Sequence, residues 1–258
     1  MAFASPCRVP NEQQPGSLAT LKARMRALEQ GRSEGPGRIL RLGVAAIDRL
    51  LPGGGLAATR VHEVVGVSAR DGAAAAFTLA LIARLLSQTP GPVLWCGRYL
   101  DLHGPGLAAF GIDTARLILA RTRDTTETLW AMEEGLRSAR LAAVVGELTR
   151  SIDLTASRRL QLAAENGETT GLLLRPVDAG DGTPSAVETR WRVVSMLGAP
   201  ATENLGVGRT AWRLGLERCR GGAQGEWMVE LDDATGDLAL AAAVCDRSAR
   251  PAPFRLAV

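Results

Sequence analysis

At 258 residues, with 46% hydrophobic side chains, the chain has ample material for a large core, and with aromatics at only 4% that core must be filled mainly by Ala, Leu and Val. The net charge of +3 is mildly basic and rests almost wholly on arginine, Lys22 being the single lysine; arginine pairs bidentately with phosphate or carboxylate, and a GC-rich genome gives the same bias. Four scattered cysteines (Cys7, Cys96, Cys219, Cys245) without zinc spacing, no apolar signal core, and an apolar run (Ala73 to Ala83) stopped by Arg84 exclude zinc modules, disulfide frameworks and membrane spans. The expectation is a reduced, cytoplasmic protein.

In chain order, residues 1–15 are polar and predicted to be disordered. Ser17 caps a predicted helix to about Gln30 with a one-sided stripe of Leu18, Leu21, Met25 and Leu28. The Gly/Pro-bearing stretch Arg32 to Arg38 is a linker, so residues 1–37 form an arm ahead of a core over 38–245, and 246–258 form a loose tail. The helix can pack back on its own core or on another molecule. Val61, Val64 and Val65 predict a buried strand ended by Gly66, and Asp71 or Gly72 caps a helix through Ala75 to Leu86. Further strands are predicted at Val93–Cys96, Leu117–Leu119, Leu141–Val145 and Leu172–Leu174. Between them come a short helix at Pro105–Phe110, a helix from the capping pair Asp124 and Glu127 to about Arg140, and one capped by Asp153 or Thr155 that runs to Asn166 and is closed by Gly167. That alternation means crossover units and a mostly parallel sheet. From Ser185 the rhythm changes to strands at Arg190–Val194, Ala211–Cys219, Trp227–Leu231 and Leu238–Ala243 separated by Gly and Asp turns, which predicts an antiparallel extension.

Strand, glycine loop and helix around Gly66 is the layout of a phosphate loop, G-x-x-x-x-G-K-[ST], in which Lys neutralises phosphate oxygens and the hydroxyl holds Mg²⁺. Here Gly66, Arg70, Asp71 and Gly72 keep the glycine framework, but neither register supplies Lys or a hydroxyl, and Asp71 adds negative charge. Two readings follow: a vestigial phosphate loop, or a strand–helix turn that never bound phosphate. The run Leu42-Gly43 … Ile47-Asp48 … Pro52-Gly53-Gly54-Gly55 … Arg60-x-x-Glu63-x-x-Gly66 resembles the segment leading into the phosphate loop of RecA-type recombinases. That resemblance implies a RecA-like core, an N-terminal helix that docks on a neighbouring subunit, and three further site positions. At those positions stand Arg98-Tyr99 for the catalytic carboxylate, Gly146 with Glu147 one place later for the metal-supporting Asp, and Arg175-Pro176 for the γ-phosphate sensor. With the base, sensor, lysine and hydroxyl all absent, no catalytic residue, cofactor or metal is expected. Glu133-Glu134 reads as helix surface. Arg158 and Arg159 on one helix, and Arg190, Trp191 and Arg192 on one strand, form a candidate surface for weak single-stranded DNA or partner binding; a solvated helix face and a half-buried Trp is the alternative.

Several segments together are more specific. Leu129-Trp130-Ala131-Met132-Glu133-Glu134, Asp153 to Glu165, Gly171 to Arg175, Glu188 to Val193, Leu216-x-Arg218-Cys219-Arg220-Gly221-Gly222 and Trp227-x-Val229-Glu230 resemble the ImuA family of bacterial damage-induced mutagenesis cassettes. The resemblance implies a non-catalytic, RecA/SulA-like protein that contacts RecA and works with ImuB, a polymerase-like partner, and indirectly with an error-prone replicative-type polymerase in translesion synthesis. A SulA-like cell-division inhibitor and a divergent RecA-like DNA-binding ATPase are the alternatives.

Overall fold

The computed structural model describes residues 38–67, 72–176, 184–198, 209–232 and 236–241. The N-terminal helix with Leu18, Leu21, Met25 and Leu28, the loop residues Arg70 and Asp71, and the tail lie outside the described residues. The core opens with a short antiparallel ribbon, β1 (Ile39–Leu40) with β2 (Leu56–Ala57), around α1 (Ala45–Asp48). The Asp48 carboxylate accepts from the backbone N–H of Leu42 at 2.9 Å and of Gly43 at 3.1 Å, so the Asp of the RecA-type segment holds the turn leading into the core.

Nine strands then build one sheet. They are β3 (Val61–Gly66), β4 (Val93–Gly97), β5 (Leu117–Arg121), β6 (Ala143–Glu147), β7 (Thr170–Pro176), β8 (Thr189–Leu197), β9 (Thr210–Cys219), β10 (Gly225–Leu231) and β11 (Leu238–Leu240). Their order is β11-β10-β9-β8-β3-β7-β6-β4-β5. The six strands from β8 to β5 pair in parallel, and β8 to β11 pair antiparallel, which is the fold expected from the alternation and its change at Ser185. The helices are α2 (Ala73–Gln88), α3 (Gly104–Ala109), α4 (Thr125–Leu136) and α5 (Leu154–Gly167). Among the described residues no helix is long and apolar enough to cross a membrane.

Alternation along the strands splits the core in two. Val64, Leu172, Trp191 and Val193 join Phe77 and Leu81 of α2, whereas Val61, Leu173 and Val144 join Met132 and Leu136 of α4 and Leu160 of α5. The Ala-rich α2 brings little bulk, so the sheet supplies it. Trp191 and Trp212 lie against Phe77 at ring-centroid distances of 5.8 and 6.0 Å, and Trp227 stacks behind Trp191 at 6.4 Å. Beneath them His62 joins a buried chain of hydrogen bonds. Its Nε2 faces the Ala57 carbonyl at 2.9 Å and must donate, so Nδ1 accepts from Thr189 Oγ1 at 2.8 Å, and that oxygen accepts from Trp191 Nε1 at 2.9 Å. Burial lowers the His62 pKa to about 4, which keeps the ring neutral. Burial likewise raises the Cys96 thiol to about 11, the inert thiol expected of a buried strand cysteine.

Two helix ends differ from expectation. Helix α4 stops at Leu136 rather than Arg140, because Ser138 N–H turns back to the Gly135 carbonyl and tightens the last turn. Gly167 is the last helical residue of α5, and Glu168 takes the left-handed conformation at φ 51°. The glycine serves close approach instead of the cap: a Cβ there would stand 2.0 Å from the Leu136 carbonyl oxygen.

Candidate functional site

The rim formed by the carboxyl ends of the parallel strands is where such sheets bind ligands. Gly66 ends β3 fully buried, flanked in register by Pro176 of β7 and Val193 of β8. Gly72 forms the N-cap of α2 without a side-chain bond, and the next two positions, Ala73 and Ala74, are buried at 3% and 4% exposure, so the helix start offers a methyl layer where a lysine and a hydroxyl would be needed.

At the end of β7 and within the central strands, charged side chains pair inside the protein. Arg175, at the sensor position, is buried, and its Nε donates to Glu63 Oε1 at 2.7 Å. Arg190 donates through Nε to the other oxygen of the same carboxylate at 2.5 Å. Glu63, Arg175 and Arg190 are thus a buried acid held between two guanidinium groups on the three central strands β3, β7 and β8. Gly146 lies beneath α4, where an added Cβ would stand 2.0 Å from Met132 Sδ, so an acid there requires the Met132 side chain to move. Glu147, one place on, reaches the rim but accepts from Trp95 Nε1 at 2.9 Å. Burial is the main cause that raises its pKa, offset by the Trp95 hydrogen bond and reinforced by Asp101. Arg98 and Tyr99 stand exposed after β4. Among the described residues no three His, Cys, Asp or Glu side chains gather in a way that could hold a metal ion.

The predicted Arg–Trp surface does not form as expected. Trp191 is fully buried under α2 and offers no face to a base or partner, because it shares a strand face with Val193 while Arg190 and Arg192 point the other way. Arg190 is drawn inward by Glu63, and Arg192 pairs with Glu217. Arg158 remains exposed on α5; Arg159 pairs at 2.5 Å with Glu133, which also takes Arg137. Glu133 is therefore a buried acid at 7% exposure, in place of the helix-surface residue expected. The tryptophan that does face solvent is Trp130 of α4, at 62% exposure. One sequence signal pointed to the buried triad: an acid inside the Val-rich strand β3 needs a cationic partner on a neighbouring strand.

No family model matches the chain. Similarity to individual proteins is extensive. The chain is 41% identical over 210 residues to proteins called Protein ImuA from two strains of Caulobacter vibrioides, a match that covers 77% of this chain and 86% of theirs. It is also 34% identical over 101 residues, 37% of this chain, to a cell division inhibitor SulA of Edwardsiella piscicida, 58% of which is covered. The fold defines an α/β domain built on one large, mostly parallel sheet with an antiparallel extension. Within that class the chain belongs to the ImuA family, the family its sequence segments resemble and which ties it to damage-induced mutagenesis.

Proposed function

We propose that the chain is a non-catalytic, RecA-like accessory protein of error-prone translesion DNA synthesis induced by DNA damage. It acts by contacts with RecA and with an ImuB-type polymerase-like partner, and through the latter serves an error-prone replicative-type polymerase. Family membership supports the process. The observation that carries the non-catalytic part is Arg175, which at the sensor position is committed to Glu63 in the interior. Phosphoryl transfer needs preorganised charge aimed at the transferred group, and removing one such group commonly costs orders of magnitude in rate. The arm bearing Leu18, Leu21, Met25 and Leu28 is the docking element in this reading. Burying four such side chains offers roughly 6–12 kcal/mol against an association cost of roughly 4–15 kcal/mol, so the arm needs help from core contacts.

The test is ATP turnover by the full chain with Mg²⁺, beside the Glu147→Gln variant. The expected result is no turnover above a mock preparation. Turnover that saturates in ATP and is abolished by Glu147→Gln overturns the non-catalytic reading. The match to a cell division inhibitor favours a second reading, but over a smaller share of the chain; capture of a division protein in place of RecA or ImuB would select it.

A further inference from the structure

The last turn of sheet on the β5 edge carries an open cavity of about 370 Å³ lined by Arg98, Tyr99, Arg121, Thr122 and Arg123. The main chain builds it. Gly97 of β4 and Arg121 of β5 are register partners, and Thr122 N–H continues the ladder to the Gly97 carbonyl at 3.0 Å. Two adjacent strands, roughly 4.8 Å apart, therefore end side by side and deliver three arginines and a tyrosine to one place. The loop after β4 leads outward to β5, while the chain after β6 leads back to β7, so the cavity borders a point where the chain direction reverses.

Thr122 serves the fold, its hydroxyl bonded to Thr128 Oγ1 at 2.7 Å, whereas the Arg98, Tyr99 and Arg121 side chains are exposed. Tyr99 is 66% exposed, and the Arg98 guanidinium lies 5.3 Å from its ring centroid. Among the described residues neither Arg98 nor Arg121 has a carboxylate partner, and Arg123 shares its charge with Glu127 at 3.0 Å while remaining 88% exposed. Glu127 offsets part of the Arg123 charge, but Arg98 and Arg121 add two further like charges at the same place, and a polyanion relieves their repulsion. The planar guanidinium fork suits phosphate oxygens. An exposed ring in such a cluster adds a stacking partner that a simple acidic peptide does not require and a nucleobase does.

We infer that the Arg98–Tyr99–Arg121–Arg123 cavity is a binding site for single-stranded nucleic acid, with Tyr99 stacking a base and the arginines contacting phosphates. The site is separate from Arg158 and Arg159, and the inference stands whether or not RecA and ImuB are the protein partners.

The experiment is fluorescence anisotropy of a labelled oligothymidylate with the full chain across a salt series. Variants are Arg98→Ala/Arg121→Ala, Tyr99→Leu, Tyr99→Phe and, as the comparison surface, Arg158→Ala/Arg159→Ala. Phosphate contacts from three arginines give a log–log salt slope of about −2, a weakening of about twentyfold for a fourfold rise in salt. Loss of stacking in Tyr99→Leu weakens binding by roughly fivefold or more, while Tyr99→Phe keeps it. Thermal melting of the Arg98, Arg121 and Tyr99 variants stays at the wild-type value, because the altered side chains are exposed, whereas Arg159→Ala removes one of the two arginines on the buried Glu133 and lowers it. Absence of oligonucleotide binding, or binding that the Arg98 and Tyr99 variants leave unchanged, overturns the proposal. So does loss confined to the Arg158→Ala/Arg159→Ala variant. Displacement of the oligonucleotide by polyglutamate at equal charge, with Tyr99→Leu inert, overturns it in favour of an acidic protein partner.

Discussion

Replacing Glu63 by Gln keeps the size of the side chain and removes its charge. Two guanidinium groups then lose the carboxylate to which each donates, at 2.7 Å from Arg175 and 2.5 Å from Arg190. The Arg175 side chain is fully buried and Glu63 is 3% exposed, so water cannot take over the lost interaction at Arg175. Breaking a buried ion pair from one side costs about 3–5 kcal/mol. At roughly 2–4 °C per kcal/mol for a domain of this size, the melting temperature should drop by about 6–20 °C. Urea unfolding followed by tryptophan fluorescence measures the same loss at constant temperature. The charge argument also predicts a rescue: in the triple variant Glu63→Leu/Arg175→Met/Arg190→Leu all three charges are gone, and stability should return to within about 1 kcal/mol of wild type or exceed it. A Glu63→Gln loss under about 1 kcal/mol, or a triple variant less stable than the single one, would refute the reasoning.

Two other expectations come from the same core. His62 has its pKa lowered from 6.5 to about 4 by burial; above pH 6.5 the ring is neutral folded and unfolded, and its full contribution is present. As pH falls from 6.5 to 4 only the unfolded chain gains the proton, so about 3 kcal/mol is lost over that window and none below it; urea unfolding at pH 7 and pH 4.5 should show the fall, and the His62→Gln variant should show less of it. Trp191→Ala should cost about 3–5 kcal/mol as a core truncation, whereas Trp130→Ala, at 62% exposure, should change stability by under about 0.5 kcal/mol; paired thermal melts decide which tryptophan faces solvent, and a costly Trp130→Ala with a neutral Trp191→Ala would reverse the assignment.

The sheet was legible because its signals are periodic and local. The β-branched run of β3, the Asp153 cap of α5 and the Gly and Asp turns after Ser185 each dictate backbone geometry within a few residues, and the strands lie where those signals put them. The Asp124 capping pair shows the limit of such reading: Asp124 accepts from Glu127 N–H at 2.9 Å, but the Glu127 carboxylate returns to Arg123 N–H at 2.7 Å, one residue earlier than a capping box requires. Side-chain fates that depend on distant strands were not legible. Arg175 and Arg190 lie 112 and 127 residues from Glu63, and no local pattern tells which arginine an acid will draw inward. Trp191 was legible as alternating with arginine, but which strand face α2 covers is a tertiary fact. The basic cavity escaped notice for the same reason, since Arg98 and Arg121 meet only through the pairing of β4 with β5.

The central claim is that the chain works through protein partners without using nucleotide. Biolayer interferometry of the full chain against purified RecA and against the ImuB-type protein of the same bacterium, each run with and without Mg²⁺–ATP, tests it most directly. The account predicts saturable binding to at least one of them, a Kd that ATP added to this chain before mixing leaves unchanged, and weaker binding for Leu21→Asp/Met25→Asp. No binding to either protein, or a complex that forms only after this chain has been loaded with ATP, would contradict it.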